Sequence, residues 1–266
     1  MYCIWEGKYV TDWQTEWGIP LLEVHESLSS TNSRARELLQ GGAPSFSAIV
    51  AETQTQGRGR NGKYWYSPKG MGLWMSFVLR DATYSSTSLV PILTGLAVLD
   101  ALESVCGSLG LGIKWPNDIE IDGRKVGGIL CEVFDKDSLM VGIGINLKQK
   151  QDDFQSQMLD SATSLFIATG RVLNTTSVMG PIIKQCKNLL EPLPTMLSKD
   201  LVEKLEKKST VMGLRVSLAN GLQGSVVGFS SLGAMIVMAE GVLHHINSSG
   251  DVRCYAKGSS EETNRK

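Results

Sequence analysis

Residues 54–72 read QTQGRGRNGKYWYSPKGMG, from Gln54 to Gly72. The stretch holds five glycines, two arginines, two lysines and a run of three aromatics. Glycine lets backbone approach a ligand closely and take up positive φ. Arginine supplies a fixed cation with forked donors suited to phosphate and carboxylate. Gly57-x-Gly59-x-x-Gly62 fits a dinucleotide fingerprint, and Gly57-x-x-x-x-Gly62-Lys63 fits most of a P-loop. Both motifs require a helix directly after the glycines, and the P-loop requires Ser or Thr where this chain has Tyr64. Tyr64-Trp65-Tyr66-Ser67-Pro68 followed by Lys69-Gly70 does not begin a helix. The stretch therefore reads as a loop that binds through its side chains and its own closure over an anionic ligand. The plain alternative is a solvated basic turn.

The flanking segments place this loop. Ser47–Glu52 is a candidate buried strand leading in, and Leu73–Leu79 is the strand leading out. A rigid sheet would then hold both ends. Upstream, Pro20–His25 reads as a short strand. Ser29-Ser30-Thr31-Asn32 offers N-cap residues for a helix over roughly 33–40, stopped by Gly41-Gly42. Downstream, Leu89, Leu93, Leu96, Leu99, Leu102 and Val105 recur at helical spacing, predicting a long buried helix. Residues 112–134, GIKWPNDIEIDGRKVGGILCEVF, form a second dense region in which Asp122-Gly123 predicts a tight hairpin turn. Residues 139–147 are one more strand, with Gly142 and Gly144 marking close approach of a ligand or another backbone.

Residues 174–191 and 199–208 read as helices. From Gly213 the period changes to short alternating runs, with Asn220-Gly221 as a hairpin turn. These predict a small all-β unit of four or five strands. The domain limits expected are 1–209 and 210–257, with 258–266 a polar, disordered tail. Residues 1–18 carry three tryptophans without a clear period and read as an irregular arm.

Composition bounds the function. The 266 residues are 42% hydrophobic and 20% charged with net charge −1, an ordinary globular balance that gives no general pull toward nucleic acid. The five cysteines, Cys3, Cys106, Cys131, Cys186 and Cys254, are scattered without a CxxC pair. Neither a zinc site nor a disulfide framework is implied, and a reducing, cytoplasmic setting is expected. His25, His244 and His245 are read as incidental. No secretory signal or membrane span is expected.

In order along the chain, Ser30-Thr31-Asn32, Gln54 to Gly70, Lys114-Trp115-Pro116-Asn117-Asp118, Arg124 to Leu130 and Gly142-Ile143-Gly144-Ile145-Asn146 give the chain its resemblance to the bacterial type of biotin–protein ligase. The resemblance implies an α+β fold in which helices flank a central mixed sheet, as in class II synthetases, with a small SH3-like barrel at the C-terminus. It implies an enzyme, a biotin–[acetyl-CoA-carboxylase] ligase, that forms biotinyl-5′-AMP from biotin and ATP with Mg2+. The biotinyl group then passes to a lysine of a biotin carboxyl carrier protein or domain. By the same resemblance, Arg60, Lys114, Asp118 and Lys125 are the catalytic candidates, with Asp118 also the candidate for magnesium. Ser30, Thr31, Asn32, Gln54, Gly57, Arg58, Gly59, Arg60, Trp65, Asn117, Lys125, Gly127, Gly128, Gly142, Gly144 and Asn146 are the candidate contacts for biotin, ATP or the adenylate.

Elementary chemistry agrees with this assignment. A carboxylate attacking a phosphate needs nearby cations, and the resulting mixed anhydride must be kept from water until an amine arrives. Trp65 is expected to stack on adenine or to fill the core. Gly142 and Gly144 would admit ribose or phosphate, and Gly127 and Gly128 the biotin chain. The bland readings are helix capping for Ser30 and Thr31, an Asx-type turn for Asp118 and a surface position for Lys125. Asn61 and Lys63 stand where relatives commonly carry arginine. Ser249-Gly250-Asp251 only weakly matches a C-terminal Gly-Glu motif, so no residue there is assigned. A DNA-binding domain is not expected, nor a repressor role, and the chain is expected to be a monomer or homodimer. The competing readings are a lipoate ligase of the same fold, a non-enzymatic biotin sensor and a P-loop hydrolase.

Overall fold

The computed structural model describes residues 1–81 and 87–254; the expected disordered tail lies outside them. The chain opens with a two-stranded hairpin, β1 (Ile4–Trp5) and β2 (Lys8–Tyr9), and a helix, α1 (Val10–Trp17). Next come β3 (Leu22–Leu28), α2 (Thr31–Gln40), β4 (Ala48–Gln54), β5 (Gly72–Arg80) and α3 (Val90–Cys106). The middle of the chain supplies β6 (Leu111–Lys114), β7 (Asp118–Ile121), β8 (Arg124–Val133) and β9 (Ser138–Asn146). Helices α4 (Gln151–Gln155), α5 (Leu165–Thr169), α6 (Thr175–Leu190) and α7 (Lys199–Lys208) follow. The chain ends in β10 (Arg215–Leu218), β11 (Gln223–Phe229), β12 (Met235–Ala239), β13 (Val242–Ile246) and β14 (Val252–Cys254).

Seven strands form the central sheet in the order β3-β4-β5-β9-β8-β7-β6. Only β3 and β4 run parallel; every other neighbouring pair is antiparallel. The period-2 rule assigns the faces. Ala48 and Val50, Phe77 and Leu79, and Leu139 and Val141 join the large core that includes α3 and α6. Their alternates Ile49, Val78 and Met140 pack instead with Ala35 and Leu39 of α2. Helix α3 is buried nearly all round because it lies between the sheet and α6, so its periodic leucines meet apolar partners on both sides.

Helix α2 is only ten residues long, about 15 Å, so it covers part of its face of the sheet. At its N-terminal end the register aligns Ser76 with Gly142, Gly142 with Leu130, and Gly144 with Gly128. Small residues there leave a depression that the loop between β4 and β5 spans.

The remaining strands form a separate five-stranded antiparallel sheet, β13-β12-β11-β10-β14, the small curled β unit that the sequence predicts. Gly221 takes φ 88° at the predicted Asn-Gly turn.

Residues 1–18 differ from expectation: they form regular structure. Trp13 stacks on Trp17 at 5.2 Å between ring centroids, and Trp5 meets Trp17 edge-on. Glu6 accepts hydrogen bonds from the backbone N–H groups of Thr175 and Thr176, at 3.0 and 2.9 Å. It thereby caps α6 from outside, since Asn174 provides no side-chain cap. Aromatic packing within the segment, and hydrogen bonds to Glu6 from a helix about 170 residues away, order it, and no local period reveals either. Among the described residues no helix is long and apolar enough to cross a membrane.

Candidate active site

The loop after β4 is a miniature hairpin. Gly59 N–H donates to Lys63 carbonyl, and Trp65 N–H to Gly57 carbonyl. At its tip Asn61 and Gly62 both take positive φ, 56° and 71°, the combination that Asn-Gly favours in two-residue hairpins. The tip thus gains a turn where an arginine would add charge. Gly57 has no room for a side chain: an added Cβ would lie 2.4 Å from the Trp65 carbonyl oxygen. Its role is to close the hairpin, and it does not line the cavity beneath.

That cavity has a volume of about 460 Å³, in the usual range for small-molecule sites. The loop from Arg58 to Tyr66 forms its roof and β5, β8 and β9 its floor. Its lining cations are Arg58, Arg60, Lys63 and Lys125, against the single carboxylate of Asp118. The field inside therefore favours an anion.

One end of the cavity is a buried network of uncharged side chains, tied at its edge to the Glu132 carboxylate. Gln54 Oε1 accepts from the Thr31 N–H at 2.9 Å and the Thr31 hydroxyl at 3.1 Å, while Gln54 Nε2 donates to Ser67 Oγ. Ser76 Oγ lies 2.7 Å from Thr31 Oγ1 and donates to Asn32 Oδ1 at 2.6 Å. Asn32 Nδ2 donates to Glu132 Oε2 at 2.7 Å and to the Leu130 carbonyl. Ser30 sits at the N-cap position of α2, yet its hydroxyl makes no capping bond. The capping alternative for Ser30 is thus not realised, and its hydroxyl faces the cavity lining.

The other end is charged. Lys125 Nζ pairs with Asp118 Oδ1 at 2.7 Å. A bulge between β7 and β8 at Ile119/Glu120 breaks the simple cross-strand register there. Arg60 Nη1 donates to Asn117 Oδ1 and to Ser249 Oγ, and Asn117 Nδ2 is fixed on the Ile129 carbonyl. Arg58 Nη2 donates to Ser33 Oγ and lies 3.7 Å from Glu132. Asn146 is nearly enclosed, donating to the Thr163 carbonyl and accepting from Gln149.

Two further predicted residues lie off the cavity. Lys114, expected beside the phosphate, does not line the cavity. Its ammonium is drawn along β7 to Glu120, 3.4 Å away. That carboxylate is buried and needs a cation, whereas Asp118 already has Lys125. Gly127 also lies off the cavity, pressed against Ile145 and the Gly144 carbonyl. Gly128, Gly142 and Gly144 do line the cavity, each beside a neighbouring side chain. An added Cβ would meet Asn32 Oδ1 at 2.6 Å on Gly142, and the Trp65 indole at 2.6 Å on Gly144 and 3.3 Å on Gly128. The glycines seat Asn32 and Trp65, which then face the cavity. The Trp65 indole N–H is buried with no partner, an open donor at this wall.

Sequence reasoning missed Ser76, Glu132, Ser249 and the segment of Phe154, Leu159, Ser161 and Ala162, all of which touch the network or the lining. Ser76 and Glu132 did leave a signal, as lone polar residues in the apolar strands LWMSFV and ILCEVF. Ser249 left none. Cys131 is no nucleophile: burial pushes its thiol well up.

Among the described residues no group of three or more His, Cys, Asp or Glu could hold a metal ion. Asp118 is a single carboxylate already paired with Lys125. The described residues thus build no metal cage; a single carboxylate would suit an ion that arrives on phosphate oxygens.

A mixed sheet thus carries a loop-roofed, cation-rich cavity whose other end is lined by uncharged polar side chains. The chain belongs to the biotin/lipoate A/B protein ligase family, whose model matches residues 24–148. Its fold superposes on the biotin protein ligase from Aquifex aeolicus in complex with biotin and ATP, with a TM-score of 0.75 and 30% identity. That match covers 89% of this chain and 100% of the other. It is also similar to the bifunctional ligase/repressor BirA of Bacillus subtilis, 40% identical over 164 residues, which are 60% of this chain and 50% of that protein. A third relative is the biotin–[acetyl-CoA-carboxylase] ligase of Paracoccus denitrificans, 35% identical over 46% of this chain and 53% of that protein. The chain spans about half the length of these two curated relatives.

Proposed function

We propose that the protein is an ATP-dependent biotin–protein ligase that makes biotinyl-5′-AMP and transfers the biotinyl group to a lysine of a biotin carboxyl carrier domain. The observation that carries this reading is one cavity with two unlike ends. The neutral network of Thr31, Asn32, Gln54 and Ser76 suits the ureido ring, which offers two donors and one acceptor. The cationic end of Arg58, Arg60 and Lys125 suits a carboxylate meeting a polyphosphate.

In the first step a biotin carboxylate oxygen attacks the α-phosphorus of ATP and pyrophosphate leaves. Arg60 and Lys125 offset the charge that gathers on the phosphoryl oxygens. Magnesium, carried on the phosphates, would neutralise charge there, with Asp118 the nearest carboxylate. In the second step the acceptor amine attacks the acyl carbon, AMP leaves, and Asp118 takes the amine proton. The loop of residues 57–66 excludes water between the steps. Trp65, with its free N–H, faces the adenylate. Lys114 serves this reading only by neutralising Glu120, a structural role.

The same reading divides the chain into a catalytic unit, 1–209, and a C-terminal unit, 210–257, and places the protein in the cytoplasm. The test is incubation with biotin, ATP, magnesium and a carrier domain, followed by intact-mass measurement. One biotinyl group should appear on the carrier only when all components are present. An unmodified carrier, or equal transfer of lipoate, overturns the proposal.

A further inference from the structure

The C-terminal sheet reaches the cavity at one described residue, Ser249. The turn that carries it is pinned to its own unit: Ala219 N–H donates to the Asp251 carbonyl, and Asp251 N–H to the Ser248 carbonyl. Ser248 Oγ also accepts from Gly250 N–H at 3.2 Å. From this turn the Ser249 hydroxyl accepts from Arg60 Nη1 at 2.9 Å, across 189 residues of sequence. The second acceptor on the same nitrogen is Asn117 Oδ1, at 3.1 Å.

The two loop arginines are thus held in different ways. Arg58 lies beside a carboxylate, Glu132. Arg60 is held by two neutral oxygens and pairs with no described carboxylate. A cation fixed by neutral acceptors keeps its charge for an arriving anion; one beside a carboxylate is partly compensated. We propose that Ser249 is a positioning residue, supplied by the C-terminal sheet, that holds Arg60 over the cavity ready for the phosphates. Its catalytic consequence rests on the ligase reading above; the contact itself does not.

The experiment compares wild type, Ser249→Ala and Ser249→Thr. In ligand-free protein, amide hydrogen exchange is followed over residues 57–66. Losing one charge-assisted bond should speed exchange there roughly five-fold in the alanine variant, with an unchanged thermal midpoint, and threonine should keep the wild-type rate. Biotin-dependent ATP–pyrophosphate exchange then gives the two Michaelis constants. The KM for ATP should rise by a similar factor while the KM for biotin moves less than about two-fold. Unchanged loop exchange in the alanine variant overturns the proposal, as does a parallel rise in both constants, or a threonine variant as impaired as alanine. Because hydrogen exchange needs no ligand, it decides the contact even if wild type gives no pyrophosphate exchange, an outcome that would overturn the ligase reading instead.

Discussion

At the residue scale, the pair Lys125–Asp118 separates function from stability. The lysine side chain is 35% exposed, so the pair adds little to folding. Over a bound carboxylate or phosphate the same ammonium is worth about 1.5–3 kcal/mol. Lys125→Ala should therefore weaken biotin binding roughly 10- to 100-fold while the melting temperature hardly moves. Calorimetric titration and a thermal melt on one preparation check both halves. Much of this site can be read from the sequence, because Arg58, Arg60, Asp118 and Lys125 stand in compact motifs. The place of Lys114 beside Glu120 could not be read in that way. Whether a lysine meets a phosphate or a buried glutamate depends on Glu120, and its burial becomes visible only once β7 is packed.

At the scale of elements, the loop and the β3–α2 contact act separately. The loop roofs the cavity through Arg58 and Arg60. Arg60→Gly removes two ties, to Asn117 and Ser249, and one cation from the phosphate end, so the adenylate should be made more slowly and escape. Release of biotinyl-AMP into solution should rise at least several-fold, by the same one-bond reasoning; an unaltered escape rate argues against the lid. The β3–α2 contact is a buried charge clamp. Arg34 reaches Glu23 with both Nε, at 2.8 Å, and Nη2, at 2.9 Å. The Glu23 carboxyl is held below its ordinary value, first by the hydrogen bond from Arg34 and next by His25. A carboxyl depressed in the fold stabilises it above its unfolded pKa, about 4.3, and that contribution fades as pH falls through the folded value. Arg34→Ala should cost roughly 1–2 kcal/mol at neutral pH, allowing for the guanidinium's partial exposure. The gap to wild type should narrow as pH falls below about 4. Melting curves across pH 3 to 7, a range chosen to span the carboxylate transition, measure it.

At the scale of the whole molecule, the β unit shares the main core, with Val226, Phe229 and Val237 in one cluster with α3 and α6, and hydrogen bonds fix it there. Trp115 Nε1 donates to the Gly233 carbonyl at 3.0 Å, and the Phe229 N–H donates to Glu206 of α7. Gly233 has φ 79°, and an added Cβ would stand 2.7 Å from Ile92 Cδ1 of α3. Gly233→Ala should destabilise the protein by about 1–3 kcal/mol, lowering the melting temperature by roughly 2–4 °C per kcal/mol. It should also loosen Ser249 from Arg60, visible as faster exchange over residues 57–66. Full retention of the midpoint would mean that the two units pack less tightly than this contact implies.

By itself the sequence determined the order of elements, the hairpin turns, the two helical periods, the change to short strands after Gly213 and the family motifs. These are local signals, written in period, turn residues and spacing. Tertiary structure decided the rest. It settled which small residues on neighbouring strands align beneath the first residues of α2, and that Asn32 and Trp65 sit against the cavity's glycines. It sent Lys114 to Glu120 and Lys125 to Asp118, and brought Ser249 to Arg60. Each of these depends on strand register or on contacts between distant segments. Such contacts carry no period along the chain, because they are set by which surfaces bury one another.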